Sequence, residues 1–330
     1  MQNIKRNYTY KDHFKCGWGD GIFNFEGDRT GLRYWCTYGR CERQPMSFRE
    51  ECVNAARLIF ESTDKTILVF FSGGIDSEVV VRSMMEAGVS FEVLIINFWY
   101  KGKSGLNSHD TAYALDFVKK HNIKYRIYDY DLSDYLKTQY TGDMKKYVYP
   151  RPGRHIIANL TKLLCNEFLC VMGDGEPALM RSRLNGFPDL EGMMIYDDTG
   201  EVEVLHAVSE CNESAVFGFF HYTPELLLAW LLNEDIQNFV KYERAFLNIS
   251  WISIKPFVYH KFWPDMTPRP KYTGMEFIDG EYAKWMKNPD DTSIDPDLLE
   301  LCENHRDFDW ESCKVISQYT DLLESLSPII

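Results

Sequence analysis

The chain has 330 residues, a mass of 38.7 kDa and a net charge of -13, from 49 acidic against 36 basic residues. Its 45% hydrophobic and 26% charged content is that of a globular protein, which excludes intrinsic disorder and fibrous repeats, and its length suits about two domains. The acidic balance disfavours a nucleic-acid coat, no apolar run approaches the roughly 20 residues of a bilayer span, and Met1 to Lys15 has no signal-peptide core, so a soluble cytoplasmic protein is expected. Nine cysteines, an odd number spread along the chain, read as reduced thiols.

Residues 1–64 read as a glycine-punctuated lead-in, irregular except for a helix over Phe48 to Glu61. Thr66 to Phe71 is a short, wholly apolar run of the kind that forms a buried parallel strand. A helix follows from about Ser77 to Ala87, stopped by Gly88. Phe91 to Phe98 predicts a second strand and Asn107 to His121 a helix with Asp110 in its first turn. Lys124 to Tyr130 is a third strand, Leu132 to Tyr140 a short helix, His155 to Glu167 a longer one, and Phe168 to Met172 a fourth strand. Strands alternating with helices predict an α/β fold, a doubly wound parallel sheet over residues 65–190. Residues 191–330 change character and predict a mostly helical region that covers the substrate. Val202 to Val208 reads as a strand, and Thr223 to Phe246 as a long helix with Thr223 as N-cap and Pro224 at its first position. Pro256, Pro264, Pro268 and Pro270 then break up an aromatic, basic stretch, and an acidic helical tail runs from Asp295.

The informative motif is Ser72-Gly73-Gly74-Ile75-Asp76-Ser77, between the first apolar strand and its helix. Two glycines let backbone approach a ligand closely, and the unpaired N–H groups of a helix start favour an anion. Ser72 and Ser77 add hydroxyls, and Asp76 is a carboxylate suited to a divalent cation. The loop has no lysine of the kind that reaches β and γ phosphates in kinase-type loops, and that suits it to holding pyrophosphate as a leaving group.

On these residues the chain resembles the ATP pyrophosphatase (PP-loop) family, whose signature is Ser-Gly-Gly-X-Asp-Ser in a strand-loop-helix context. The family includes asparagine, GMP and NAD synthetases, tRNA thiolation and lysidine enzymes, and sulfonucleotide reductases. The resemblance implies a sheet of the adenine nucleotide alpha hydrolase type, with ATP and Mg2+ as cofactors. It assigns Ser72, Gly73, Gly74, Ile75, Asp76 and Ser77 to nucleotide binding, with Asp76 and Ser77 catalytic and Asp76 on the metal. It also places adenine near Ile96 and Asn97 at the end of the second strand; an Asn97 that merely ends the strand is the equal alternative.

Gly173-Asp174-Gly175, after the fourth strand, resembles the Gly-Asp-Gly that opens a loop in the synthetase domain of asparagine synthetases, although Glu176-Pro177 stands where those carry Ala-Asp. The resemblance makes Gly173 a cofactor contact and Asp174 a catalytic and metal-binding residue, against the alternative of an ordinary Asp-Gly turn. Gln2 in place of a nucleophilic cysteine argues against a glutaminase domain, so ammonia is expected to be free or supplied by a partner protein.

Other candidates carry less. Gly102-Lys103-Ser104 imitates the end of a Walker A loop, but bulky Phe98, Trp99 and Tyr100 precede it, so Lys101 and Lys103 read as solvated charges. Arg151, Arg154, His155, Arg181 and Arg183 are candidates for phosphate or carboxylate contact. Lys255, Lys261, Arg269 and Lys271 are candidates for a lid. Cys16, Cys36, Cys41 and Cys52 lack the spacing of a zinc knuckle. The expected activity is an AMP- and pyrophosphate-forming ligase. It adenylates a carboxylate or amide carbonyl of a small molecule or nucleobase for attack by ammonia or an amine, with no membrane or nucleic-acid partner and with a homo-oligomer possible. The alternatives are nucleobase sulfur transfer through the same adenylation, and a non-catalytic adenine nucleotide-binding module.

Overall fold

The central sheet grows outward from its most apolar strands, β3 (Thr66–Phe70) and β6 (Phe168–Met172), which pair in parallel with Ile67 opposite Leu169 and Phe70 opposite Met172. The computed structural model describes residues 14–19, 33–147, 152–173, 195–196, 214–216, 218–236, 238, 251–270, 272–289, 293–307 and 315–318. On the other side of β3 lie β4 (Phe91–Trp99) and then β5 (Tyr125–Asp131), and beyond β6 lies the short β8 (Ala215–Val216), all parallel. Counted from β3, the order along the sheet is therefore 3-2-1-4-5. The chain winds from β3 to one side and resumes at β6 on the other, so the gap beyond the carboxyl ends of β3 and β6 is the topological switch point.

Helices α1 (Phe48–Glu61), α2 (Ile75–Ala87), α3 (Ser108–Lys120) and α6 (Pro152–Leu164) accompany the sheet, and α4 (Leu132–Thr138) and α5 (Tyr140–Tyr147) fill the crossover to β6. α1 starts at a capping box in which Ser47 and Glu50 satisfy each other's backbone N–H groups. Its Phe48 lies in an aromatic cluster with Phe220, Trp230 and Tyr259, with ring centroids 6.0, 4.9 and 6.1 Å away. This cluster ties α1 to α7 (Pro224–Leu231) and α8 (Trp251–Phe262), and so brings the C-terminal half onto the sheet. The chain continues through α9 (Glu276–Lys287) and α10 (Leu299–Asp307).

Several boundaries differ from expectation. α2 begins at Ile75 rather than Ser77, because Gly74 takes the extended N-cap conformation and the first turn starts directly after it. α6 begins at Pro152, whose fixed φ and missing N–H suit a first turn. The helix expected over Thr223 to Phe246 has Thr223 as its cap and Pro224 at its start as foreseen, but closes at Leu231 with Leu232 as C-cap. Pro256 lies inside α8 rather than breaking the stretch. The lead-in is not wholly irregular: β1 (Phe14–Gly19) and β2 (Arg33–Tyr38) pair antiparallel, β2 pairs in parallel with β9 (Val315–Gln318), and β9 pairs with β7 (Ile195–Tyr196). A partner nearly 300 residues away leaves no local signal, and Gly17 and Gly19 hide the alternation. The strand expected over Val202 to Val208 lies outside the described residues. Among the described residues no helix is long and apolar enough to cross a membrane.

Candidate active site

The loop 72–77 leaves β3 at the switch point and is wired by its own atoms. Ser72 Oγ accepts from Gly74 N–H at 3.2 Å and lies 3.2 Å from Ser77 Oγ, which donates to Gly74 C=O at 3.0 Å. Gly73 holds φ +85°, a left-handed conformation, and a Cβ there would stand 2.1 Å from the carbonyl oxygen of Asp110. Glycine is thus required twice, by dihedral and by the close approach of α3. Gly173, at the end of β6, backs onto the start of α2, where a Cβ would stand 2.8 Å from Ser77 Cα. Gly74, the α2 N-cap, has no capping side chain, so the first-turn N–H groups present positive potential at the loop's mouth.

The C-terminal half clamps this loop. Arg269 donates to the Gly73 carbonyl through Nε at 2.8 Å and Nη2 at 2.5 Å, while Nη2 also pairs with Glu78 Oε2 at 2.7 Å. The guanidinium lies 3.5 Å above the ring centre of Tyr113. Glu78 is fully buried and also accepts from Arg82 Nε at 2.7 Å and Tyr113 Oη at 2.9 Å. Burial, reinforced by the Glu78 charge, pushes the Tyr113 hydroxyl up to about 12, so it stays a donor. From α8, Lys255 Nζ donates to Asp76 Oδ2 at 3.0 Å and Tyr259 Oη to Asp76 Oδ1 at 2.8 Å. Tyr259 is the same residue that stacks in the aromatic core, so the core fixes the direction of the Asp76 carboxylate.

A strap over residues 272–279 completes the walls. Tyr272 N–H donates to buried Asp110 at 3.1 Å. Glu276 accepts from Thr273 N–H, Thr273 Oγ1 and Gly274 N–H at 2.7, 2.9 and 2.9 Å. Burial opposes the charge of Glu276, yet these backbone and hydroxyl donors hold its carboxyl below its ordinary 4.5. A carboxyl depressed in the folded state stabilises the fold above its unfolded pKa and loses that contribution as pH falls through the folded value. Acidification below about 4.3 is therefore expected to loosen the strap. The drop in urea midpoint between pH 6 and pH 3 should be smaller in Glu276→Gln than in the parent; an equal drop would refute the assignment.

Together these elements enclose a cleft of about 460 Å³, within the range of small-molecule sites. Ser72, Gly74, Asp76, Ser77 and Gly173 line it beside the loop, Leu94, Ile96, Phe98, Ile157 and Ile278 form an apolar half, and Asp110, Glu276 and Asp279 add carboxylates to its walls. Arg154 lines the cleft from the first turn of α6. Asn97 is not among the lining residues: its Nδ2 donates to Asp129 on β5 at 2.7 Å. His155 is buried, with Nδ1 3.0 Å from Tyr135 Oη. Lys101, expected as a solvated charge, is exposed and makes surface ion pairs with Asp295 at 2.5 Å and Asp297 at 3.0 Å, and Lys261 pairs with Asp235 at 2.5 Å. Asp174, Arg151, Arg181, Arg183 and Lys271 lie outside the described residues. Strand register sets Cys16 opposite Cys36, and among the described residues no group of three or more His, Cys, Asp or Glu is placed to hold a metal ion.

In the sequence Lys255 and Arg269 stand out only as members of a basic stretch, and Tyr259, Glu78, Tyr113 and Asn107 carry no signal as site residues. Their partners are up to 196 residues away, and only Pro268 and Pro270, which stiffen the backbone around Arg269, marked that segment as special.

The strand order, with a glycine turn opening a helix at the switch point, defines a doubly wound α/β protein with a cleft at the carboxyl ends of its strands. No protein-family model and no curated protein matches the chain. Among solved structures it is similar to the NH3-dependent NAD synthetase from Campylobacter jejuni subsp. jejuni NCTC 11168 in complex with the nitrate ion. That likeness has 15% identity and a TM-score of 0.32, over 78% of this chain and 93% of the other.

Proposed function

We propose that the chain is an ATP-dependent, AMP- and pyrophosphate-forming ligase that adenylates a carboxylate or amide carbonyl of a small molecule or nucleobase for attack by ammonia or an amine. The observation that carries this reading is the pairing of a lysine-free glycine turn with Lys255, delivered from α8 to the edge of the same turn. The first-turn amides of α2 and the Ser72 and Ser77 hydroxyls bind the departing phosphates, and Lys255 adds positive charge beside them. The apolar half holds the base, and the inner phosphorus faces the cleft volume left for the acceptor. Proton transfer from the attacking amine is left to solvent or substrate, since Asp76 is engaged by Lys255 and Tyr259.

The Asp76 carboxylate fits the role of a single protein ligand to Mg2+, because each oxygen carries one hydrogen bond from the chain and keeps a lone pair. When bound, the ion supplies charge neutralisation on the phosphates.

The test incubates the protein with ATP, Mg2+, ammonium and a panel of carboxylic acids and nucleobases, and follows phosphorus products by NMR. Acceptor-dependent AMP and pyrophosphate are expected, with Asp76→Ala and Lys255→Met each lowering the rate about 10²-fold or more, the usual loss for one preorganised electrostatic group. ADP as the product, or rates unchanged in both variants, would overturn the proposal.

A further inference from the structure

The side of β4 that faces β3 runs out of partner before it reaches the end of the strand. Phe71 N–H bonds to the Leu94 carbonyl at 2.9 Å, and then the chain turns away into the Gly73 loop. Two residues on, the same edge presents the Ile96 carbonyl and then the Phe98 N–H, an acceptor and a donor at the wall of the apolar half-cleft. Asn107 fills both. Its Nδ2 donates to Ile96 C=O at 2.9 Å and its Oδ1 accepts from Phe98 N–H at 3.1 Å.

A primary carboxamide offers one donor beside one acceptor, the same pair that adenine offers with its amino group and adjacent ring nitrogen. Asn107 is 6% exposed and has little room to withdraw. The strap backbone rests on it at Gly274, where φ is +82° and a Cβ would stand 3.1 Å from Asn107 Cβ and 3.2 Å from Asn107 N.

Resting on the proposed nucleoside triphosphate site, we infer that Asn107 occupies the base-reading edge of β4. The cleft then grips a purine by its faces and shape and discriminates weakly between adenine and guanine. Apolar pockets separate close analogues by only about 10–200-fold, whereas sites that hydrogen-bond a polar group reject its absence by about 10⁴-fold or more. Removing the Asn107 carboxamide uncovers the Ile96 acceptor and the Phe98 donor, and a base entering the apolar half can then be read along its edge. A donor–acceptor pair in that order suits adenine, while the corresponding edge of guanine presents a carbonyl to the Ile96 carbonyl.

Calorimetric titration of the full chain with ATP, GTP and inorganic pyrophosphate, each with Mg2+, tests this. The expected Kd values for ATP and GTP lie within about 10-fold of each other, and Asn107→Ala shifts the ratio at least 10-fold towards ATP. A general loosening of the loop weakens both nucleotides together and does not move the ratio. Asn107→Ser, which removes the carboxamide but offers α3 a hydroxyl at its N-cap position, serves if the alanine variant does not fold, and the parent ratio needs no variant. A parent preference for ATP above about 10²-fold, or a ratio unchanged in the variants, overturns the inference and leaves the triphosphate site standing. Failure of ATP, GTP and pyrophosphate alike to bind overturns the site, and the inference with it.

Discussion

Gly73→Ala should give the largest loss of any single substitution in the loop. The left-handed φ of +85° costs an alanine about 1–2 kcal/mol, and its methyl would stand 2.1 Å from the Asp110 carbonyl oxygen. That atom is backbone in the first turn of α3, held in place by the Tyr272 contact to its side chain, so the overlap is relieved only by moving the loop. Overpacking of this kind adds about 1–3 kcal/mol, for a total of about 2–5 kcal/mol. Urea unfolding measures the stability loss, and pyrophosphate titration measures the site. Both should fall, because the displaced turn carries the first amides of α2 away from the proposed phosphate site. Retained pyrophosphate affinity in a destabilised protein would show that the turn is structural only.

Arg269→Ala should be nearly as damaging, and by a separable route. The Arg269 side chain is 9% exposed and links the segment before the strap to both the Gly73 carbonyl and the fully buried Glu78. Removing one partner of a buried ion pair costs about 3–5 kcal/mol; Glu78 keeps Arg82 and Tyr113, so about 2–3 kcal/mol is expected. Arg269→Lys separates charge from geometry, since a lysine restores a cation beside Glu78 but not the planar fork that meets the Gly73 carbonyl through two N–H groups. The lysine variant is therefore expected to recover much of the stability while its apparent affinity for ATP stays at least ~10-fold weaker, a loss equivalent to about 1.4 kcal/mol. Full recovery of both would mean that Arg269 acts through charge alone.

The legible part of the fold was the part written locally. α1 was readable because the residues from Phe48 to Glu61 repeat with helical periodicity, and the structure gives it those bounds. β3, β4 and β6 were readable because central parallel strands are apolar on both faces. Less legible was α5, since Tyr140–Tyr147 mixes glycine and lysines without strong periodicity, and least of all β9, whose partner lies at the other end of the chain. Within the site, the turn Ser72 to Ser77 was visible because glycine spacing is a backbone requirement expressed in neighbouring residues.

By itself the sequence determined an alternation of apolar strands with helices, an acidic net charge, and one glycine turn between a strand and a helix. Tertiary structure alone decided which cations serve that turn: of the lysines and arginines scattered through the basic stretch, folding brings Lys255 to Asp76 and Arg269 to Gly73, and sends Lys261 to Asp235. Tertiary structure likewise aimed Asn107 at the edge of β4 rather than at its own helix start. The physical reason is one of range. Dihedral preference and hydrophobic periodicity act between residues a few positions apart, whereas a hydrogen bond or ion pair across ~200 residues exists only after the core around Phe48, Trp230 and Tyr259 has packed and set the distance.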